Sequence, residues 1–390
     1  MYKILNLNFN KNVFFSILLA IMPFSFIAGN MLINLNILAL IVLALIFFKI
    51  KIFDIKYYIF DKILILFFLF ILFTGIVNDY HFYVNKLEWK EYFSTIKKSI
   101  FFFRYLLFYF CLRYLIERKI IDLKLFFIST SIASIFVCLD IFFQFIYGED
   151  IFGYEAYGSG RKLSGPFGDE LIAGGFIQRF CFFTFFLLPI FVKNINNKVL
   201  ILIITVLFVI YLSGIILSGN RMPFILFFFM LTLFLILQKN VRKYFLVFVS
   251  ASIIILFLSI KTSEKVASNF NKLFIQINYI SKSLINSEFN DIERASYLVE
   301  FATFYDTWLM NKYIGGGIKN FRYYCHIRPN IEKNSIFYSY WDQRFQGGDY
   351  GKKIIFKCNM HPHNYYLEIM TETGVIGLIL ITVIFSSILY

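Results

Sequence analysis

Long apolar stretches recur along this sequence, each close to the length that an α-helix needs to cross a lipid bilayer. Hydrophobic residues make up 59% of the chain and charged residues only 16%, which is unlike the composition of soluble globular domains. The pattern predicts an all-α fold, a polytopic transmembrane bundle of about ten helices. The predicted helices cover residues 13–28, 31–48, 63–77, 100–116, 125–147, 171–192, 199–217, 222–238, 244–260 and 365–389.

Lys and Arg in the short loops predict the orientation of this bundle. With the N-terminus inside, the cytoplasmic loops carry twice as many basic residues as the opposite loops, in agreement with the positive-inside rule. This orientation divides the chain into nine helices with short loops at 1–261, a large outside loop at 262–364, and a last helix at 365–390. A loop of that length is expected to be functional or to carry its own structure.

The outside loop contains one segment with the periodicity of an amphipathic helix, over 293–311. Its aromatic residues recur at helical spacing: Tyr297, Phe301, Phe304 and Trp308. Three consecutive glycines follow at 315–317. No predicted strand precedes them and no Lys-Ser/Thr pair follows, so they predict a helix stop and a tight turn rather than a phosphate loop.

The formal net charge of +14 has three candidate causes. Basic residues collect in cytoplasmic loops, they suit the anionic headgroups of membrane lipids, and they suit an anionic substrate. Nucleic acid is not an expected partner, because the chain lacks a basic soluble domain with interleaved aromatic residues.

The five cysteines fall into two groups. Cys111, Cys138 and Cys181 lie in apolar stretches and are expected to act as small hydrophobic residues. Cys325 and Cys358 lie in the outside loop, where a disulfide between them is one possibility that spacing alone does not decide. The first apolar stretch has no convincing cleavage site, so we expect a retained helix rather than a cleaved signal peptide.

A polar segment at 361–374 runs directly into the last apolar stretch. Titratable groups at the mouth of a membrane helix are costly, which makes this segment a candidate functional site. His363 or His361 could accept a proton from a hydroxyl group near neutral pH. A zinc site is discounted because no third ligand has suitable spacing. Glu368 and Glu372 share a helix face, and could orient a histidine or pair with an arginine.

Three arginines on the predicted outer side are candidates for binding phosphate, because a guanidinium matches phosphate oxygens in bidentate geometry. Arg161 lies in a Gly- and Pro-containing loop, and Arg221 in a very short hairpin before Pro223. For both, an ordinary interfacial arginine is the alternative. Arg179 lies within an apolar stretch, where an anionic ligand or a buried carboxylate such as Asp140 are both candidate partners.

Together these arginines and the histidine suit one kind of chemistry. Arginines would neutralise a lipid-linked diphosphate as it leaves, and a histidine would activate an acceptor hydroxyl. Neither a side-chain nucleophile nor a metal cage is evident in the sequence.

Four motifs resemble those of the bacterial O-antigen ligase and O-antigen polymerase superfamily of integral membrane glycosyltransferases. Residues 363–377 are similar to its His-Asn-x-Tyr-Leu…Glu-x-Gly-x-x-Gly signature, and residues 311–321 to its Gly-x-Gly-x-x-Asn-Phe turn. Residues 217–221, Leu-Ser-Gly-Asn-Arg, resemble its Ser-x-Ser-Arg motif, with Asn at the second serine. Residues 161–169 resemble its Arg…Gly-x-Phe-Gly-Asp segment.

The resemblance implies a substrate class and a location. The donor would be a glycan on undecaprenyl diphosphate, at the periplasmic side of the bacterial inner membrane. The acceptor would be lipid A–core for a ligase, or another lipid-linked glycan for a polymerase. The family's arginines and histidine map onto Arg161, Arg221 and His363. From the residues themselves, we expect Arg179 to contribute to binding the diphosphate, and Asn364, Glu372 and His361 to support the site. Neither a metal nor another cofactor is implied.

Two functions of other classes are also compatible with the sequence. A transporter of lipid-linked sugars would need polar residues throughout the bundle, and a scaffold protein would use the outside loop to bind partners. Members of the family usually continue with one or two further helices, whereas this sequence ends at Tyr390 within the predicted last helix.

Overall fold

The computed structural model describes residues 11–84, 93–157, 162–191, 197–237, 242, 245–286, 296–327 and 364–389. Apart from two isolated bridges in the loop after the fifth helix, this part of the chain forms helices and turns. The α-helices are α1 (Lys11–Ile27), α2 (Asn30–Phe48), α3 (Ile59–Val84), α4 (Ser94–Glu117), α5 (Leu123–Tyr147), α6 (Ala173–Phe191), α7 (Asn197–Leu217), α8 (Arg221–Leu237), α9 (Phe245–Thr262), α10 (Glu264–Asn286), α11 (Ser296–Leu309), α12 (Phe321–Ile327) and α13 (Tyr365–Leu389).

Each of the ten predicted membrane helices corresponds to an observed helix, α1 to α9 and α13. Within the described residues, six helices are long and apolar enough to cross a membrane, and a seventh span results if the bent pair α9 and α10 is counted as one. Helices α1 and α8 are apolar but shorter. The prediction of an all-α polytopic fold is confirmed, and the chain is a multi-pass membrane protein.

Helices α3 and α4 extend beyond their predicted ends, because polar residues there find hydrogen-bond partners. At the start of α3, Asp61 accepts hydrogen bonds from the Tyr58 amide at 2.6 Å and the Tyr109 hydroxyl at 2.6 Å. At its other end, Asp79 accepts from the amides of Thr95 and Ile96, the first turn of α4. A prediction from hydropathy alone ends a helix where polar residues begin, so the predicted ranges of both helices were too short.

The chain forms two compact units, the first comprising Met1–Lys49 and Cys111–Phe274. In this unit α5 packs against α1, α6 and α7. Small residues allow these close contacts: a Cβ added at Gly214 of α7 would lie 2.9 Å from Sγ of Cys138 in α5. The buried core around this crossing includes Val137, Ile177 and Phe208.

The second unit comprises Ile50–Phe110 and Ile275–Tyr390. In it, α13 packs against α3, α11 and α12. The predicted amphipathic helix at 293–311 is present as α11, whose Phe304 ring lies 4.3 Å from that of Phe321 between centroids. Cys325 beside them is disulfide-bonded. Cys358, the partner suggested by the sequence, lies outside the described residues.

Candidate functional site

Helix α13 is interrupted at Gly374, where φ is +65° and ψ is −168°. The break removes helical partners from backbone groups on both sides, and unpaired backbone groups are very costly at membrane depth. The turn after α11 supplies the missing partners. The amides of Val375 and Ile376 donate to the carbonyls of Lys312 and Tyr313, at 2.9 and 3.2 Å.

The same turn also donates to α13. The amides of Gly316 and Gly317 donate to the carbonyls of Thr371 and Glu372, each at 2.8 Å. Four backbone hydrogen bonds therefore join residues 312–317 to residues 371–376. We name this arrangement the stitched break.

Glycine is required at the stitched break for two reasons. Gly315 and Gly374 have φ values of +74° and +65°, which disfavour residues with a Cβ atom. The backbones also lie too close together for a side chain. A Cβ at Gly315 would collide with the backbone of Glu372, and a Cβ at Gly374 with the backbone of Tyr313. The glycines at 315–317 thus form the predicted tight turn and allow close backbone approach, whereas the helix before them already ends at Leu309.

Glu372 is almost fully buried, and its carboxylate oxygen Oε1 accepts a hydrogen bond from the Lys319 amide at 2.6 Å. Among the roles considered for it from the sequence were orienting a histidine and pairing with an arginine. Its described hydrogen bond attaches α13 to the backbone of the turn at 315–319, and the two expected roles stay predictions. Glu372 therefore fixes the geometry of the stitched break.

Asn320 connects this turn to α4. Its Nδ2 donates to Thr95 Oγ1 and to the Gly316 carbonyl, each at 2.8 Å, and its Oδ1 accepts from the Lys98 ammonium at 3.2 Å. Asn320 is completely buried. Its amide therefore holds the turn against the start of α4 from both the donor and the acceptor side.

Asn78 connects the turn to α3. Its Nδ2 donates to the Gly315 carbonyl at 3.0 Å, and its Oδ1 accepts from the Tyr324 hydroxyl at 2.7 Å. Burial raises the pKa of this hydroxyl above its usual range, and nearby Asp79 acts in the same direction. Tyr324 is thus a neutral hydrogen-bond donor at physiological pH.

Asn364 caps the N-terminus of α13. Its Oδ1 accepts from the amides of Tyr366 and Leu367, at 2.9 and 3.4 Å. His361 and His363 lie outside the described residues. His363 directly precedes this capping residue in the chain. The stitched break lies two to three turns further along α13, and it therefore supports the helix that follows His363.

Arg221 is the first residue of α8 in the first unit, directly after a tight turn at 218–220. Gly219 in this turn has a φ of +71°, and the Ser218 hydroxyl donates to the Ile215 carbonyl at 2.7 Å. Asn220 extends from the turn to the segment before α6, where its Nδ2 donates to the Leu171 carbonyl at 3.1 Å. The motif at 217–221 thus touches the end of the loop that contains the motif at 161–169.

Arg221 lines a cleft between α7, α8 and α10. Its walls are mostly apolar and include Ile216, Phe224 and Phe270, whereas Arg221, Asn220 and Asn269 supply its polar groups. The amides at the start of α8 add partial positive charge to that of the guanidinium. A cleft of this kind suits an amphiphilic molecule with an anionic headgroup.

The other two arginines lie differently. Arg161 lies outside the described residues, and Arg179 is exposed on α6. Asp140, a candidate partner for Arg179, is buried, and its Oδ1 accepts from the Ile151 amide at 2.9 Å. Next to it, Gln144 accepts from the Gly165 amide at 2.9 Å. These α5 side chains hold the loop that follows α5.

Several residues of the site were not identified from the sequence. Asn78, Thr95 and Asn320 hold the glycine turn, and Asn269 lines the cleft with Arg221. Asn78 and Thr95 could have been found from their position, because polar residues at the ends of long apolar stretches need hydrogen-bond partners near a membrane. The signal for Asn269 was the amphipathic pattern of α10, within what was predicted as loop.

Part of this chain matches a known protein family. The model of the family described as O-antigen ligase matches residues 206–382. No curated protein and no solved structure matches the chain. The matched range includes the Arg221 cleft and the stitched break, and it confirms the resemblance of the motifs at 217–221, 311–321 and 363–377. Residues 206–382 of this chain are therefore similar to the O-antigen ligase family, and this match supports the resemblance to the O-antigen ligase superfamily.

Proposed function

We propose that this protein is a ligase that transfers a glycan from undecaprenyl diphosphate to a hydroxyl group of lipid A–core. The reaction would take place at the periplasmic face of the bacterial inner membrane. The observation that carries the proposal is the Arg221 cleft, which combines a guanidinium and a helix N-terminus with apolar walls. An isoprenoid diphosphate has this same combination of a strongly anionic group and a hydrocarbon chain.

The proposed transfer is a single inverting displacement. The acceptor oxygen forms a bond to the anomeric carbon of the donor sugar while the bond from that carbon to the diphosphate oxygen breaks. His363 takes the proton of the acceptor hydroxyl as general base. Arg221, with Arg161 and Arg179, stabilises the charge that develops on the leaving undecaprenyl diphosphate.

Reconstitution tests the reaction directly. The purified protein in lipid vesicles would receive an undecaprenyl diphosphate-linked glycan, with either lipid A–core or a second lipid-linked glycan as acceptor. We expect mass spectrometry to detect glycosylated lipid A–core, and to detect it equally in the presence of EDTA. Product with the second acceptor alone would assign the protein to the polymerases. Movement of the donor across the membrane without a new covalent product would indicate a transporter.

Two substitutions test the assigned residues. His363→Ala should abolish transfer while donor binding persists, because a general base acts on the acceptor. Arg221→Ala should weaken donor binding. Arg242→Ala is a matched control, since this arginine donates to the last carbonyls of the same helix, at Leu235 and Ile236. Equal donor affinity in Arg221→Ala and Arg242→Ala would assign Arg221 a structural role only.

A further inference from the structure

Helix α10 follows α9 after one intervening residue, and the two helices meet at an angle of 110°. Helix α9 has 18 residues, about 27 Å at the rise of an α-helix, which is close to the thickness of a bilayer core. Since the bend is 20° beyond a right angle, α10 runs nearly perpendicular to α9. With α9 crossing the membrane, α10 lies nearly parallel to the membrane surface.

The sequence of α10 has one apolar face. Its residues recur three and four positions apart, in the spacing that forms a single stripe along a helix. They are Val266, Phe270, Leu273, Phe274 and Ile277. Ser263 caps the helix, its Oγ accepting from the Val266 amide at 3.4 Å.

The two ends of this stripe have different environments. Val266 is buried in the core of the first unit, and the Phe270 ring lies 5.8 Å from that of Phe224. Further along, Phe274 is 67% exposed and Ile277 is 51% exposed. The apolar face therefore continues from a packed part into a part that other described residues leave uncovered.

The charged residues of α10 indicate what covers the exposed part of its apolar face. Lys265, Lys272 and Lys282 are exposed, and Glu264 in the first turn is the only acidic residue of the helix. An apolar stripe accompanied by lysines on the polar side is typical of helices that lie in the headgroup region of a membrane. The lysines complement anionic headgroups, and the adjoining α9 brings the helix to that depth.

We propose that α10 is an interfacial helix, with Phe274 and Ile277 inserted among the lipids of the outer leaflet and its lysines against anionic headgroups. Val266, Asn269, Phe270 and Leu273 of the same helix line the Arg221 cleft, so this wall lies at the level of the lipid phosphates. One consequence rests on the proposed function. The diphosphate of a membrane-borne donor would contact Arg221 while it remains in the headgroup layer.

The position of α10 is measured with a small fluorescent amino acid introduced at one site of the full-length protein. The sites are Phe274 and Ile277 on the stripe, and Ile275 as the matched control. Ile275 is also apolar and is 55% exposed, but helical periodicity places it on the opposite face. Each variant is reconstituted in vesicles of phosphatidylethanolamine and phosphatidylglycerol, after its gel-filtration profile has been matched to that of the wild type.

Doxyl-labelled lipids should quench the fluorophores at 274 and 277 severalfold more than the one at 275, and aqueous iodide should show the reverse order. Equal quenching of the three sites by iodide would overturn the proposal. Protection of 274 and 277 from both quenchers would also overturn it, because protein rather than lipid would then cover the face. Neither measurement depends on glycan transfer, so failure of the proposed reaction and failure of this inference are distinguishable.

Discussion

Replacing Gly315 by alanine tests the stitched break. At a φ of +74°, a residue with a Cβ costs about 1–2 kcal/mol relative to glycine. The new Cβ would also collide with the backbone of Glu372, which no side-chain rotation relieves. The turn must then move away from α13 and lose the hydrogen bonds from Gly316 and Gly317, which contribute about 1 kcal/mol each. The expected total is about 3–4 kcal/mol.

The matched control is Gly153→Ala. Gly153 also has a positive φ, +85°, but a Cβ there meets nothing within 4 Å. This substitution therefore carries only the conformational cost, about 1–2 kcal/mol. We would heat the detergent-solubilised variants and measure the fraction that remains monodisperse by size-exclusion chromatography. Gly315→Ala should melt clearly below Gly153→Ala, and it should also lose glycan transfer. Equal melting temperatures for the two variants would refute the steric argument.

Substitutions at three further residues probe the supports of α13 and of the turn that packs on it. Asn364→Ala should cost about 1 kcal/mol through loss of the cap, whereas Asn364→Asp should retain it; equal melting of both would argue against capping. Glu372→Gln keeps an acceptor for the Lys319 amide and should melt near the wild type, whereas Glu372→Ala should cost about 2 kcal/mol; equal losses would assign the effect to charge instead. Tyr324→Phe should lower the free energy of unfolding by about 1 kcal/mol near neutral pH. This variant should also lack the decrease in stability that the wild type shows as pH rises.

The sign of this last effect follows from the raised pKa of Tyr324. A phenol whose pKa is higher in the folded protein stabilises the fold below its unfolded pKa, about 10, and the stabilisation is lost as pH rises through the folded value. The melting-temperature difference between wild type and Tyr324→Phe should therefore shrink above about pH 10. A difference that is constant with pH would show that ionisation of Tyr324 is not linked to folding.

Hydropathy placed the membrane helices well, because each apolar stretch must be buried in lipid or protein whatever its neighbours are. It failed where polar residues belong to a helix, as at Asp61 and Asp79, whose partners lie elsewhere in the chain. It also left α10 inside a predicted loop, since an interfacial helix has low overall hydrophobicity and shows only in its periodicity.

The motifs of the candidate site were visible in the sequence, but several roles within them were not. Glu372 is predicted from the sequence to orient a histidine or to pair with an arginine, and the structure adds a hydrogen bond from the Lys319 backbone amide to its Oε1. Asn220 stands where the family motif has serine, and its longer side chain bonds the Leu171 carbonyl. These roles depend on which backbone groups are left unpaired nearby, and a motif does not contain that information.

The sequence by itself determined that this chain is a helical membrane protein and which family it resembles, because hydropathy and motifs are local properties. Only the tertiary structure decided how the last helix is built. Asn78 and Gly315 are joined by a hydrogen bond across 237 residues of sequence, and the break at Gly374 is tolerated because a distant turn satisfies its backbone groups. The physical reason is that unpaired backbone groups near the membrane must find partners in space, wherever the chain provides them.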